Sequence, residues 1–198
     1  MKKSFFKSAI EDIALIDWRS LILFRIGFGL VLLFDIYTKF LASTDFFTDV
    51  GVLPRIVAIE KSEWWAWSFH FASGSHWFIY LSFIVGAALA FCVIIGYQTR
   101  LSIFLLWIFV VSIHNRNPII LHSGDNLIRV MLFWMMFLPT EAYVSLDDIY
   151  QRSLGEGIFR NHERGVVSLA SFSILIQLLL VYFCTGLLKD HPEWNSDY

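Results

Sequence analysis

The stretch Leu21-Ile22-Leu23-Phe24-Arg25-Ile26-Gly27-Phe28-Gly29-Leu30-Val31-Leu32-Leu33-Phe34-Asp35-Ile36-Tyr37-Thr38-Lys39-Phe40-Leu41 decides the fold class. It is mostly apolar and about 20 residues long, enough for a helix to cross a hydrocarbon core of about 30 Å. Residues 77–97 and 166–188 repeat that pattern. Two shorter runs, 101–116 and 124–139, reach membrane length only by taking in polar residues at one end: Ser112, His114, Asn115 and Arg116 in the first, Gly124, Asp125, Asn126 and Arg129 in the second. Of the 198 residues, 57% are hydrophobic and 18% aromatic, too apolar for a soluble domain of this size. The expected fold is an all-α integral membrane protein: five transmembrane helices (20–41, 77–97, 101–116, 124–139 and 166–188) in one domain over residues 1–198.

Lys and Arg fall unevenly around these spans. With the N-terminus in the cytoplasm, the inner segments carry Lys2, Lys3, Lys7, Arg19, Arg100, Arg152, Arg160 and Arg164, against Arg55, Lys61, Arg116 and Lys189 outside. The expected orientation is therefore N-terminus in the cytoplasm and C-terminus outside. Phe5, Phe6, Ala9, Ile10, Ile13 and Ile16 recur at helical spacing opposite Lys7, Glu11 and Asp12, which predicts an N-terminal amphipathic helix lying in the interface. The outer loop 42–76 carries Trp64, Trp65, Trp67, Phe69 and Phe71, a composition suited to the headgroup region. The inner loop 140–164 reads as a solvated connector with a flexible point at Gly155-Glu156-Gly157. Cys92 and Cys184 belong to opposite halves of the bilayer, too far apart for a disulfide, so two free, buried thiols are expected.

The polar residues of the spans concentrate in the outer half: Asp35, Lys39, His114, Asn115, Asn117, His122, Asp125, Arg129 and Lys189. Ionisable groups at such depth cost several kcal/mol each unless paired or facing water, so one shared site is more economical than separate defects. Each has a plainer role. Asp35 and Lys39, four apart, either neutralise each other or line the site. Arg25 snorkels to the inner interface, Arg129 ties helices together through Asp35 or Asp125, and Lys189 anchors the end of the last span. His114 and His122 lack a carboxylate at ligand spacing, so no metal site is expected. Phosphate loops, nucleophile elbows and zinc motifs are absent, and a net charge of -2 gives nucleic acid no basic surface.

Val181-Tyr182-Phe183-Cys184-Thr185-Gly186-Leu187-Leu188-Lys189, with Trp194 beyond, resembles the end of the helix that carries the catalytic lysine in vitamin K-dependent gamma-carboxylases and their bacterial HTTM-domain relatives. Phe24-Arg25-Ile26 with Gly29 and Asp35-Ile36, Asp49-x-Gly51-Val52-Leu53-Pro54-Arg55, and Val144-Ser145-Leu146-Asp147 resemble further segments of that family in the same order. The resemblance covers residues 17–198. It implies Lys189 as the base toward a reduced naphthoquinone (vitamin K hydroquinone or menaquinol), and His122 or His114 as the helper histidine. Asp35, Asn115, Asn117, Asp125, Arg129, Tyr182 and Trp194 would line the quinone and substrate pocket. The implied reaction uses oxygen and carbon dioxide to generate a strong base and carboxylate glutamate, or a related acceptor, in a peptide or protein on the outer face. Animal carboxylases continue past this point, so the chain reads as a truncated member. The alternative is a non-catalytic membrane accessory or scaffold protein in peptide maturation, export or immunity.

Overall fold

The computed structural model describes residues 15–154 and 165–187. Helix α1 (Trp18–Leu41) starts behind Asp17, whose side chain accepts from the Arg19 N–H. Its buried residues Leu21, Arg25, Gly29, Leu32 and Ile36 form a single stripe at spacings of three and four. Leu23, Leu30, Val31 and Phe34, on the other sides, are exposed and equally apolar. Only a lipid surrounding suits a helix of that kind. Two short helices, α2 (Ser43–Phe47) and α3 (Arg55–Lys61), and a 3-10 turn at Phe69–Phe71 interrupt the long connection to α4 (His76–Ile95). There follow α5 (Thr99–Arg116), a 3-10 turn at Pro118–Ile120, α6 (Ser123–Met135), α7 (Leu146–Ser153) and α8 (Leu169–Leu187).

Helix α4 packs against both α1 and α5, and α6 against both α5 and α8. Since lipid tails are as apolar as leucine, burial alone does not draw these helices together; close van der Waals fit and polar ties must do so. Glycine supplies the fit. A Cβ on Gly29 would come within 2.6 Å of Ile94, and one on Gly86 within 2.7 Å of the Phe109 ring. The core around these crossings contains Leu32, Ile36, Phe83, Ala90, Leu106 and Leu132.

Three helices, Trp18–Leu41, His76–Ile95 and Leu169–Leu187, are long and apolar enough to cross a membrane. The expected helices at 101–116 and 124–139 exist as α5 and α6, but α6 stops at Met135 and turns continue toward Pro139. The described residues are mostly helical, as expected, with one short exception. Leu15–Asp17 (β1) pairs antiparallel with Gly165–Val167 (β2), with Ile16 opposite Val166. Ile16 is therefore in a strand rather than at the end of the expected amphipathic helix, and α8 begins after Val167 rather than at residue 166. Most of that N-terminal helix, and the flexible point at 155–157, lie outside the described residues.

Loop 42–76 is a packed cap, not an open loop. Phe47 is buried against Phe83, with ring centroids 5.6 Å apart. His70 is fully buried, its Nδ1 2.8 Å from Ser112 Oγ and its Nε2 3.0 Å from Ser82 Oγ. Trp64, Trp65 and Trp67 point outward and are exposed. Both cysteines are free. Neither is fully buried: Cys92 is half-buried and Cys184 exposed, because none of the described residues packs against the second half of α8, where residues 179–187 are exposed on every side.

Candidate functional site

Antiparallel packing brings the C-terminal turns of α1 and α5 to the same end of the bundle as the N-terminus of α6. There Lys39 Nζ donates to Asp125 Oδ1 at 2.8 Å and also to Asp35 Oδ1. Asp125 is 1% exposed and Lys39 only 12%. A buried cation and carboxylate compensate each other only with close geometry and further hydrogen bonds, and Asp125 has one more. Its Oδ2 accepts from the His122 backbone N–H at 2.9 Å, while His122 Nδ1 accepts from the Gly124 N–H at 3.0 Å. These bonds cap the start of α6 with a carboxylate, which suits the positive end of a helix. His122 is thus the cap of α6, and Asp125, in the first turn, is a charged wall of the site.

His114 completes the cluster. Its Nε2 lies 3.6 Å from Asp125 Oδ1, beyond hydrogen-bond length, and neither ring nitrogen has a hydrogen-bond partner although the residue is 1% exposed. His122 approaches the other oxygen, with Nε2 3.5 Å from Asp125 Oδ2, but its side chain is 71% exposed. Asp125 is thus flanked by one buried and one open imidazole. A carboxylate beside imidazoles and an ammonium can orient a ring, hold positive charge and pass a proton.

Beside the same turns of α1 runs an apolar groove of about 520 Å³ lined by Leu30, Leu33, Phe34, Ile36, Tyr37 and Phe40, with Phe83, Ile84 and Ala87 from α4. Among the described residues, no group of three or more His, Cys, Asp or Glu is placed to hold a metal ion.

A model of the HTTM domain, the domain found in vitamin K-dependent gamma-carboxylase-like proteins, matches residues 14–198. The chain belongs to the HTTM-domain family. No curated protein and no solved structure matches it. Family and apolar helices together mark this HTTM domain as an integral membrane protein.

Of the residues expected at the site, the HTTM domain brings together Asp35, Asp125, His114 and His122. Others have different work. Asn115 Nδ2 donates to Trp67 O at 2.7 Å and Asn117 Nδ2 to Phe46 O at 2.9 Å, so both hold the cap 42–76. Arg129 donates to Asn126 Oδ1 at 3.3 Å, not to Asp35 or Asp125, because its position on α6 leaves Lys39 as the cation that reaches Asp125. Tyr182 is 77% exposed, on the half of α8 against which no described residue packs. Arg25 does not snorkel: it is fully buried and donates to Thr140 O at 3.0 Å and to Val144 O. Lys189 and Trp194 lie outside the described residues.

Lys39 is the centre that sequence reasoning undervalued in this HTTM domain. Its spacing from Asp35 announced one ion pair, but the second carboxylate comes from a residue 86 positions away. The shared outer depth of Lys39 and Asp125 was the signal that could have found it. The His70–Ser112–Ser82 network was missed altogether, hidden in a segment read for its aromatic rings.

Proposed function

We propose that this HTTM domain is the quinol-handling core of a gamma-carboxylase-like enzyme. It crosses the membrane five times, through α1, α4, α5, α6 and α8, with its N-terminus in the cytoplasm and the charge cluster facing outward in a bacterial inner membrane. The observation that carries the reading is His114: an imidazole with two unpartnered nitrogens, sealed within 3.6 Å of a carboxylate. Buried polar atoms without partners are rare, and one beside a fixed charge is poised to take or give a proton.

The residues fit a reduced naphthoquinone. The groove along Leu30, Phe34, Tyr37 and Phe83 is almost wholly apolar, as an isoprenoid tail requires, and it runs along the same turns of α1 as Asp35 and Lys39 but on a different side of the helix. When bound, such a quinol supplies, with oxygen, the strong base that removes a proton from the γ-carbon of a glutamate or related acceptor, to which carbon dioxide adds. His114 receives a proton and Asp125 steadies the resulting imidazolium. Lys39, bonded to Asp35 and Asp125, holds the Asp125 carboxylate in place beside His114. The part of the free lysine base falls to Lys189, on the family resemblance.

One observation favours the scaffold alternative: in the Asp35–Lys39–Asp125 chain each charge is bonded to a partner and the chain ties α1 to α6, as a purely structural cluster would. The two readings separate by oxygen-dependent oxidation of menaquinol to its epoxide, using the full chain in lipid nanodiscs beside His114→Ala and Lys189→Ala. Epoxide formed by the parent and lost in both variants establishes the enzyme. No epoxide from the parent leaves the scaffold, and undiminished epoxide from both variants takes His114 and Lys189 out of the chemistry and overturns the site as proposed.

A further inference from the structure

At the end of the bundle away from the charge cluster, α7 (Leu146–Ser153) is built inside out for a helix meeting water. Leu146, Ile149 and Tyr150, with Leu154 just beyond, share one face and are 44%, 63%, 67% and 57% exposed. Asp147 turns the other way. Its Oδ1 accepts from the Gln98 N–H, and its Oδ2 from the Thr99 N–H and hydroxyl, each at 2.8 Å. It thereby supplies the N-terminal cap that α5 lacks from its own sequence. The Asp147 N–H donates to Gly96 O at 3.0 Å, so the start of α7 is fastened between the end of α4 and the start of α5.

That fastening sets a depth. Ile95 and Thr99 mark where the apolar bodies of α4 and α5 end, and a helix bolted there lies at the rim of the hydrocarbon layer. The exposed faces of the neighbouring helices are apolar as well, with Leu101 50% and Phe91 55% exposed, so the apolar face of α7 continues the belt that the spanning helices present. Short helices with strongly segregated faces bury the apolar side at the headgroup and acyl boundary, which removes that side from water. A solvated connector, the reading of this segment from composition, would place its aspartates outward and its leucine and isoleucine inward.

The geometry points to α7 as an interfacial membrane helix: it lies in the lipid surface opposite the charge cluster, with Leu146, Ile149 and Tyr150 inserted among acyl chains and Asp147 locking it to the bundle. The inserted helix fixes the depth of that end of α4 and α5.

Nitroxide labels on single cysteines at 149 and 150 test this, in the full chain with Cys92→Ala and Cys184→Ala, in phosphatidylcholine nanodiscs. Both positions point outward, so a label displaces no packing, and a label at Val31 on the outward side of α1 gives the deep-lipid reference. Expected at 149 and 150 is relaxation by oxygen exceeding relaxation by a water-soluble nickel chelate. Stronger relaxation by the nickel chelate means a solvated helix and overturns the proposal. Protection from both reagents means that protein covers the face, a second copy or another chain, and overturns it equally.

Discussion

Lys39 Nζ lies 2.8 Å from Asp125 Oδ1 in a nearly dry setting, and the same ammonium holds Asp35. This contact joins α1 to the capped start of α6. Removing one partner of a buried pair strands the other charge, which costs about 3–5 kcal/mol. Lys39→Met should therefore lower the unfolding midpoint in detergent strongly. Lys39→Met combined with Asp125→Asn should recover much of the loss, since the asparagine oxygen still accepts from the His122 N–H. Equal midpoints for the two variants would show that packing, not charge, holds this contact.

His114 behaves differently, because no hydrogen bond is lost with it. His114→Leu keeps the volume near constant and should change stability by less than about 1.5 kcal/mol. Under the proposed function it abolishes quinol oxidation all the same. A stability loss as large as that of Lys39→Met would assign His114 to the structural network instead.

Acid sensitivity should come from His70, outside the spanning helices. Burial, with the positive charge of Arg116 adding to it, pushes its pKa down from 6.5 to about 3. The folded protein thus leaves His70 neutral while the unfolded chain protonates it. Its contribution is complete above about pH 6.5 and is lost progressively as pH falls toward about 3, by up to about 1.4 kcal/mol per pH unit. Urea unfolding between pH 7 and 5 should show this slope in the parent and a flatter one in His70→Gln.

Glycine positions on the helices should separate sharply. A Cβ at Gly86 meets the Phe109 ring at 2.7 Å, whereas at Gly27 it meets nothing within 4 Å. Gly86→Val should cost about 1–3 kcal/mol by overpacking. Gly27→Ala should be neutral or stabilising by up to about 1 kcal/mol. Thermal midpoints of the two proteins check both signs.

The apolar runs made the long helices plain in the sequence, since hydrophobic length is a local property. The end of α6 and the start of α8 were less legible: α6 stops at Met135 short of the expected 139, and α8 starts at Leu169 because Val166 and Val167 pair with Ile16 and Leu15 from the far end of the sequence. Asp35, His114, His122 and Asp125 could be gathered by membrane depth alone. Which of them touch could not, since Lys39 reaches Asp125 only after α1 and α6 are packed. Asn115 and Asn117 shared that depth but belong to the cap, whose backbone carbonyls at Trp67 and Phe46 leave no mark in side-chain sequence. For α7, counting polar residues implied solvent; the direction of Asp147 reverses that reading.

The pairing of Leu15–Asp17 with Gly165–Val167 settles a question of parity. It clasps the entrances of α1 and α8 together, and Leu21 and Ala170 share one buried cluster just inside them. Both helices then set out from one membrane surface and run the same way. Among the described helices, the chain between those starts then makes an even number of passages, as the proposed five-span reading requires. Helix α8 accordingly ends at Leu187 on the surface where Lys39 meets Asp125.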